Sequence, residues 1–327
     1  MAERRLGEFE RIARFFAPLA GSGALELRDD VALIDGPGGA QWVLTVDAIV
    51  AGIDYLPDDP PGLVARKLMR VNLSDLAAKG ARPFGYLLTT VLPAQCGEDW
   101  LAEFSAGLAA DQKAFGIVLL GGDSSGTSGP ATLSMTAIGS VVAGTAILRR
   151  GAQPGDELWV SGTIGDSALG LRVLRGEAAA LSEVERRFLV DRYRLPRPRL
   201  ELGARLVGIA SAMLDVSDGL VADLGHLCDA SGVAATIEAE RIPLSSAARQ
   251  VLSAHPDLLT LVLAGGDDYE LVFAAPPGKA KALAKLSREV AVPVTRIGAV
   301  VPGSGGVRVR DGAGREIALA SGGFRHF

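Results

Sequence analysis

Residues 41–50 read QWVLTVDAIV, an apolar run rich in β-branched side chains that carries one acid, Asp47, between Val46 and Ala48. Such a run predicts a buried strand. Aspartate is disfavoured in strands and costly to bury without a partner, so Asp47 calls for one. Outward from it, a helix is predicted over Pro61–Lys79, with proline near its start and Gly80 just past its end. Tyr86–Leu92 reads as a strand, Glu98–Phe115 as a helix, and Ile117–Leu120 as a short strand running into Gly121-Gly122-Asp123. Residues 131–143 form another extended stretch. The turn-rich RRGAQPGD at 149–156 predicts a domain boundary, dividing the chain into residues 1–150 and 151–327. The second half opens with a strand, Glu157–Ser161, then the loop GTIGDS and a helix. Strand, acidic loop and next element recur at LDVSDGL and GGDDYELVF, and GSGG at 303–306 reads as a hairpin turn. This alternation predicts a two-domain α/β or α+β fold.

Bulk properties exclude several classes. No apolar run in the 327 residues reaches the roughly 18 that a membrane span needs. The start, MAERRLGEFERIARFF, intersperses charges among its apolar residues, which predicts an amphipathic surface helix and no signal peptide. Cys96 and Cys228 lack CxxC spacing and read as thiols of a reducing cytoplasm, and three histidines offer little to a zinc site. With a net charge of −5 and no Lys/Arg run, the chain carries no nucleic-acid footprint.

The informative feature is where acids fall. Asp29-Asp30, Asp47, Asp123, Asp215 with Asp218, and Asp267-Asp268 all lie at the junction of an apolar stretch with the next element. Asp75 lies on the predicted helix, sharing one face with Asn72 and Lys79. Taken singly each has an ordinary explanation. Asp29-Asp30 suits a solvated turn, Asp75 an exposed helix position and Asp123 a glycine-rich turn, while Asp218 or Ser217 suits a helix cap. Taken together they match the needs of Mg²⁺, which takes oxygen ligands from carboxylates and substrate phosphates. No GxxxxGK[ST], HRD, DFG or GxSxG motif is present. Gly121-Gly122 and Gly162–Gly165 are candidate backbone cradles for phosphate, and Arg149 and Arg150 candidate phosphate partners or a solvated basic turn.

In order, the segments GEFERIARFF, DDVALI, VDAIVAG, VNLSDLAAKGARP, LLGGDSS, LSMTAIGSV, LDVSDGLVADLGH, AGGDDYEL and the terminal GGFRHF resemble those of bacterial thiamine-monophosphate kinases. That family belongs to the aminoimidazole ribonucleotide synthetase superfamily, and the likeness runs from about residue 7 to the end. It implies transfer of the ATP γ-phosphoryl group to thiamine monophosphate. It also implies a homodimer in which N-terminal strands of two subunits form a barrel. By position, it places Mg²⁺ ions at Asp30, Thr45, Asp47, Asp75, Asp123, Asp215 and Asp218, with Asp75, Asp123 and Asp215 serving catalysis. ATP would meet Gly122, Asp123, Arg149 and Ser217. The acceptor would meet Phe324 and the positions of Asp54 and Asp267.

The chain departs from the family pattern at four places. Arg28-Asp29-Asp30-Val31 stands for the usual GDDAA, and Val46 replaces a hydroxyl residue. Asp54 stands where the family has histidine, and Asp267 where it has glutamate. These changes leave two alternatives to the kinase reading: an ATP-dependent relative with another acceptor, and a non-catalytic nucleotide-binding homologue.

Overall fold

The computed structural model describes residues 6–177, 181–318 and 323. After the short helix α1 (Glu8–Arg11) come β1 (Ala32–Asp35), β2 (Ala40–Val50), α2 (Pro61–Ala78), β3 (Arg82–Pro93), α3 (Glu98–Phe115), β4 (Val118–Thr127) and β5 (Thr132–Val142). The five strands form one sheet in the order β1-β2-β5-β3-β4. Only β3 and β4 pair in parallel, because α3 carries the chain back between them. The strand Ala40–Val50 pairs along its whole length with β5, and Asp47 stands opposite Met135.

The second half holds β6 (Glu157–Ser161), α4 (Asp166–Leu174), α5 (Glu183–Arg194), α6 (Leu200–Leu206), β7 (Ala212–Asp215), α7 (Leu220–Ser231) and β8 (Ala234–Glu238). It continues with α8 (Ser246–Ala254), α9 (Leu259–Ala264), β9 (Leu271–Ala275), α10 (Ala280–Glu289), β10 (Val294–Val301) and β11 (Val307–Arg310). Its six-stranded sheet runs β11-β8-β10-β6-β9-β7. All its pairs but one are antiparallel, so within the predicted pair of classes the arrangement is α+β. Neither sheet closes on itself. GSGG does not make a hairpin. It carries β10 past β8, and β11 then pairs in parallel with β8 instead of folding back on β10. The amphipathic start is four residues of α-helix followed by a π-helical turn over Ile12–Phe16.

Helix α2 is the spine common to both halves. Its apolar residues Val64, Leu68, Met69, Leu73 and Leu76 pack into the first sheet's core, while Ala77 and Ala78 belong to a cluster with Leu202, Met213 and Phe273. The two helices α2 and α6 approach so closely that a β-carbon on Gly203 would lie 1.9 Å from the Ala77 carbonyl oxygen. Glycine is therefore required there. Gly203→Ala is expected to cost about 1–3 kcal/mol through forced displacement of the helices, read as a lower thermal midpoint. An unchanged midpoint would show that the contact yields.

Candidate active site

The acids at strand ends converge on one cleft beside α2. Asp30 reaches it just before β1, with Asp29 behind it. The fully buried Lys79 ammonium, one residue past the end of α2, lies 2.7 Å from Asp29 Oδ1 and 2.9 Å from Asp30 Oδ2. Arg149 Nε donates to Asp30 Oδ2 at 3.1 Å, its Nη2 donates to Asp30 Oδ1, and its backbone N–H donates to Asp29 Oδ2 at 2.9 Å. Burial alone would raise the Asp30 pKa, but Lys79 and Arg149 outweigh it and hold the carboxyl well below its usual range. The solvated turn is thus an ion-paired anchor.

Asp75 faces the cleft from α2 and is buried. The Thr45 hydroxyl on β2 donates to its Oδ2 at 2.5 Å. Two positions along β2, the backbone N–H of Asp47 donates to Asn72 Oδ1 at 3.1 Å. At the end of β7 the buried Asp215 accepts from the Ser74 hydroxyl. One oxygen each from Asp30, Asp75 and Asp215 lie within 4.8 Å of one another. Burial pushes Asp47 up to about 7, with Asp215, Asp30, Asp54 and Asp218 adding repulsion. Burial likewise raises Asp215 to about 6, reinforced by Asp30, and lifts Asp75 well above the usual range, reinforced by Asp47 and Asp215. Carboxylates held this close favour a shared cation, and an all-oxygen donor set suits a hard divalent ion such as Mg²⁺.

These residues line a cavity of about 270 Å³, bounded by seven aspartates: Asp30, Asp47, Asp54, Asp75, Asp215, Asp218 and Asp267. Ser217 lines it too. Gly219, not Asp218, holds the cap position of α7, with no side-chain cap, and Asp223 accepts from the backbone N–H groups of Asp218 and Gly219 at 3.1 and 3.0 Å. Asp218, Asp223 and His226 offer ligand atoms within 4.8 Å of one another.

Other predicted residues lie apart from the cleft or have further partners. Asp123 sits on the exposed edge strand β4, in register with Thr89, and is not among the residues lining the cavity. Gly122 has a packing reason, since a β-carbon there would lie 1.9 Å from the Leu88 carbonyl oxygen of β3. Arg149 stands behind Asp30. Asp54 turns back on its own loop, where its Oδ2 accepts from the Val50 N–H at 2.8 Å. Asp267 takes a left-handed backbone conformation, φ 67°, and pairs with Lys67 at 2.6 Å. Phe324 lies outside the described residues. The GTIGDS loop already holds a carboxylate of this chain: Asp268 Oδ2 accepts from Gly165 N–H at 2.7 Å and Asp268 Oδ1 from Ser167 N–H at 3.3 Å. Burial pushes Asp268 up to about 8.

Sequence reasoning missed Lys67, Ser74 and Tyr193. Lys67 and Ser74 lie inside a helix where Asp75 is the sole acid, and Tyr193 comes from α5, far along the chain. The helical spacing of Lys67, Val71, Ser74 and Asp75 was the available signal.

A pair of sheets joined by one helix and delivering carboxylates to one cleft has relatives. The family model described as AIR synthase related protein, N-terminal domain, matches residues 28–141, and its C-terminal counterpart matches residues 153–310. The thiamine-monophosphate kinase of Caulobacter vibrioides is 44% identical over 303 residues, covering 91% of this chain and 85% of the relative. The crystal structure of thiamine-monophosphate kinase from Stenotrophomonas maltophilia superposes with a TM-score of 0.78 at 39% identity, covering 90% of this chain and 96% of that one. AaThiL complexed with AMPPCP and TMP superposes at 0.85 with 29% identity and full coverage of both chains. The chain belongs to the AIR synthase related family and, within it, to the thiamine-monophosphate kinases.

The raised carboxyls set a pH dependence. A group whose folded pKa lies above its unfolded value of 3.8 retains its proton in the folded state while the unfolded chain loses it, so stability falls as pH climbs from 3.8 to about 7. The metal-free protein is expected to melt at a lower temperature at about pH 8 than at about pH 5. A midpoint that rises over this interval would contradict the clustering of the acids.

Proposed function

We infer that the chain transfers the γ-phosphoryl group of ATP to thiamine monophosphate, giving thiamine diphosphate and ADP. The observation that carries this is the cleft in which Asp30, Asp75 and Asp215 converge, in a chain that matches AaThiL complexed with AMPPCP and TMP over its full length. AMPPCP is an analogue of ATP, and TMP abbreviates thiamine monophosphate. An oxygen of the acceptor's phosphate attacks the γ-phosphorus in line, and the bond to the bridging oxygen breaks with its electron pair going to ADP. Positioning and charge neutralisation suffice for such a transfer without a covalent enzyme intermediate.

The residues proposed to hold Mg²⁺ are Asp30, Thr45, Asp47, Asp75, Asp215 and Asp218, with Asp123 added from β4. Bound there, the metal would neutralise the triphosphate and the charge developing on the transferred group. Gly122, Asp123, Arg149 and Ser217 are the proposed ATP contacts. Arg149 keeps Asp30 ionised, and Thr45 and Ser74 orient Asp75 and Asp215. Phe324 and the positions of Asp54 and Asp267 are proposed to face the acceptor. Residues 1–150 would form the nucleotide- and metal-binding half and 151–327 the α+β half. Among the described residues no helix is long and apolar enough to cross a membrane, and a cytoplasmic setting suits the two unpaired cysteines.

A homodimer through the first sheet accompanies this reading. Val118, Leu119 and Leu120 on the edge strand are 49–52% exposed, and Phe84, Leu87 and Val46 are exposed nearby. A long apolar edge of this kind needs covering. A barrel shared between two copies would cover it.

Incubation with ATP, Mg²⁺ and thiamine monophosphate should yield thiamine diphosphate, and no product at high enzyme concentration would sink the assignment. Asp75→Asn should lower kcat by about two orders of magnitude, the scale of losing a preorganised electrostatic group. The same change should leave the metal-free melting temperature near neutral pH equal or higher, because it removes a carboxyl whose ionisation burial, Asp47 and Asp215 oppose. Full activity in that variant would exclude Asp75 from the machinery. Leu119→Glu should convert a dimer to a monomer in light scattering, and an unchanged mass would place the interface elsewhere.

A further inference from the structure

We propose that Lys67 is the residue that holds the phosphate of the acceptor, and that the Asp267 carboxylate occupies its place until the acceptor arrives. This rests on the kinase reading above and deepens it. Thiamine monophosphate brings a phosphomonoester into a cleft lined by seven aspartates, where repulsion would keep it out without a counter-charge. Among the described residues that line the cavity, Lys67 is the one cationic side chain. Lys79 and Arg149 are committed to Asp29 and Asp30 and do not line it.

The surroundings of Lys67 fit an anion-binding role. The side chain is 3% exposed, so its ammonium is held in place. The Asp54 carbonyl accepts from it at 2.9 Å and the Tyr193 ring centroid lies 4.0 Å away. The remaining partner is Asp267 at 2.6 Å, and this carboxylate is 29% exposed on a loop with left-handed φ at Gly266, Asp267 and Tyr269. The cation is fixed, while its anion stands on the solvent side and can be exchanged for a phosphate oxygen. A second polar group points the same way. Ser167 is 1% exposed, lines this cavity, and its hydroxyl has no hydrogen-bond partner among the described residues. A buried hydroxyl without a partner costs free energy that a bound oxygen would recover. Ile53, Leu171 and Tyr193 supply apolar and aromatic surface for the rings of the ligand.

The test is the pair of Michaelis constants, with wild-type turnover of thiamine monophosphate established first. An inactive wild type fails the kinase reading, whereas an active wild type with an unaffected Lys67 variant fails only this inference. Lys67→Met should raise KM for thiamine monophosphate about tenfold or more, the scale of one hydrogen bond to a charged group, with KM for ATP unchanged. In equilibrium binding with AMPPCP present, wild type should prefer thiamine monophosphate to thiamine and Lys67→Met should lose that preference. An unchanged KM, or an equal loss for both ligands, overturns the proposal in favour of a structural latch. Should Lys67→Met fail to fold, Asp267→Asn decides: removing the competing anion should lower KM for thiamine monophosphate, and an equal or higher value overturns the idea.

Discussion

A lysine ammonium with no exposed surface underlies this architecture. Lys79 brings a charge to the junction between the two sheets, where its desolvation is offset chiefly by Asp29 and Asp30, with the Met213 carbonyl accepting at 3.5 Å. Its pKa is raised even though burial opposes the charge, because those two carboxylates outweigh the burial. The pairing fixes the entry to β1, the end of α2 and the segment around Arg149 relative to one another. Asp75 and Asp215 have no ion pair of their own and are placed alongside, where burial and their acidic neighbours outweigh the partial relief that Lys79 and Arg149 give Asp215. Asp29 is thus satisfied by the protein itself, while Asp30, held ionised by its cations, shares its cluster with Asp75 and Asp215.

Much of this was legible in the chain. The bounds of α3 and β6 follow from cap residues and apolar runs, and Asp47 inside an apolar strand signalled a partner across space. What a local pattern gives is an element and the face it presents. It does not give which strand an element pairs with, so GSGG could be read as a turn but not as a crossing past β8. Asp75 looked like an exposed helix acid because one sequence does not reveal which neighbours cover a helix face. The GTIGDS loop resembled a phosphate cradle because its glycines and open N–H groups suit one. The carboxylate that fills it, Asp268, comes from about a hundred residues downstream.

The departures from the family pattern acquire a physical context. Asp54 caps its own turn through Val50, so the exchange of histidine for aspartate is absorbed locally. Asp267 adopts a left-handed backbone conformation that aspartate tolerates better than most residues. The next acid but one, Glu270, is fully buried and accepts from Ser161, Arg192 and Arg199, which anchors the strained loop to β6, to α5 and to the start of α6. The anchored loop fixes the backbone at Asp267, while its partly exposed carboxylate stays on the solvent side.

The course of α2 through both halves has a mechanical consequence. Proteins that grip a ligand between two lobes commonly open and shut by a hinge in the linker between them. Here the helix supplies core side chains to one sheet and small residues to the cluster of the other, with Gly203 pressed against Ala77. Swinging the lobes apart would strip water-averse surface from both at once. A lobe-swinging hinge is therefore costly here, and the two sides of the cleft share one helix as their common support.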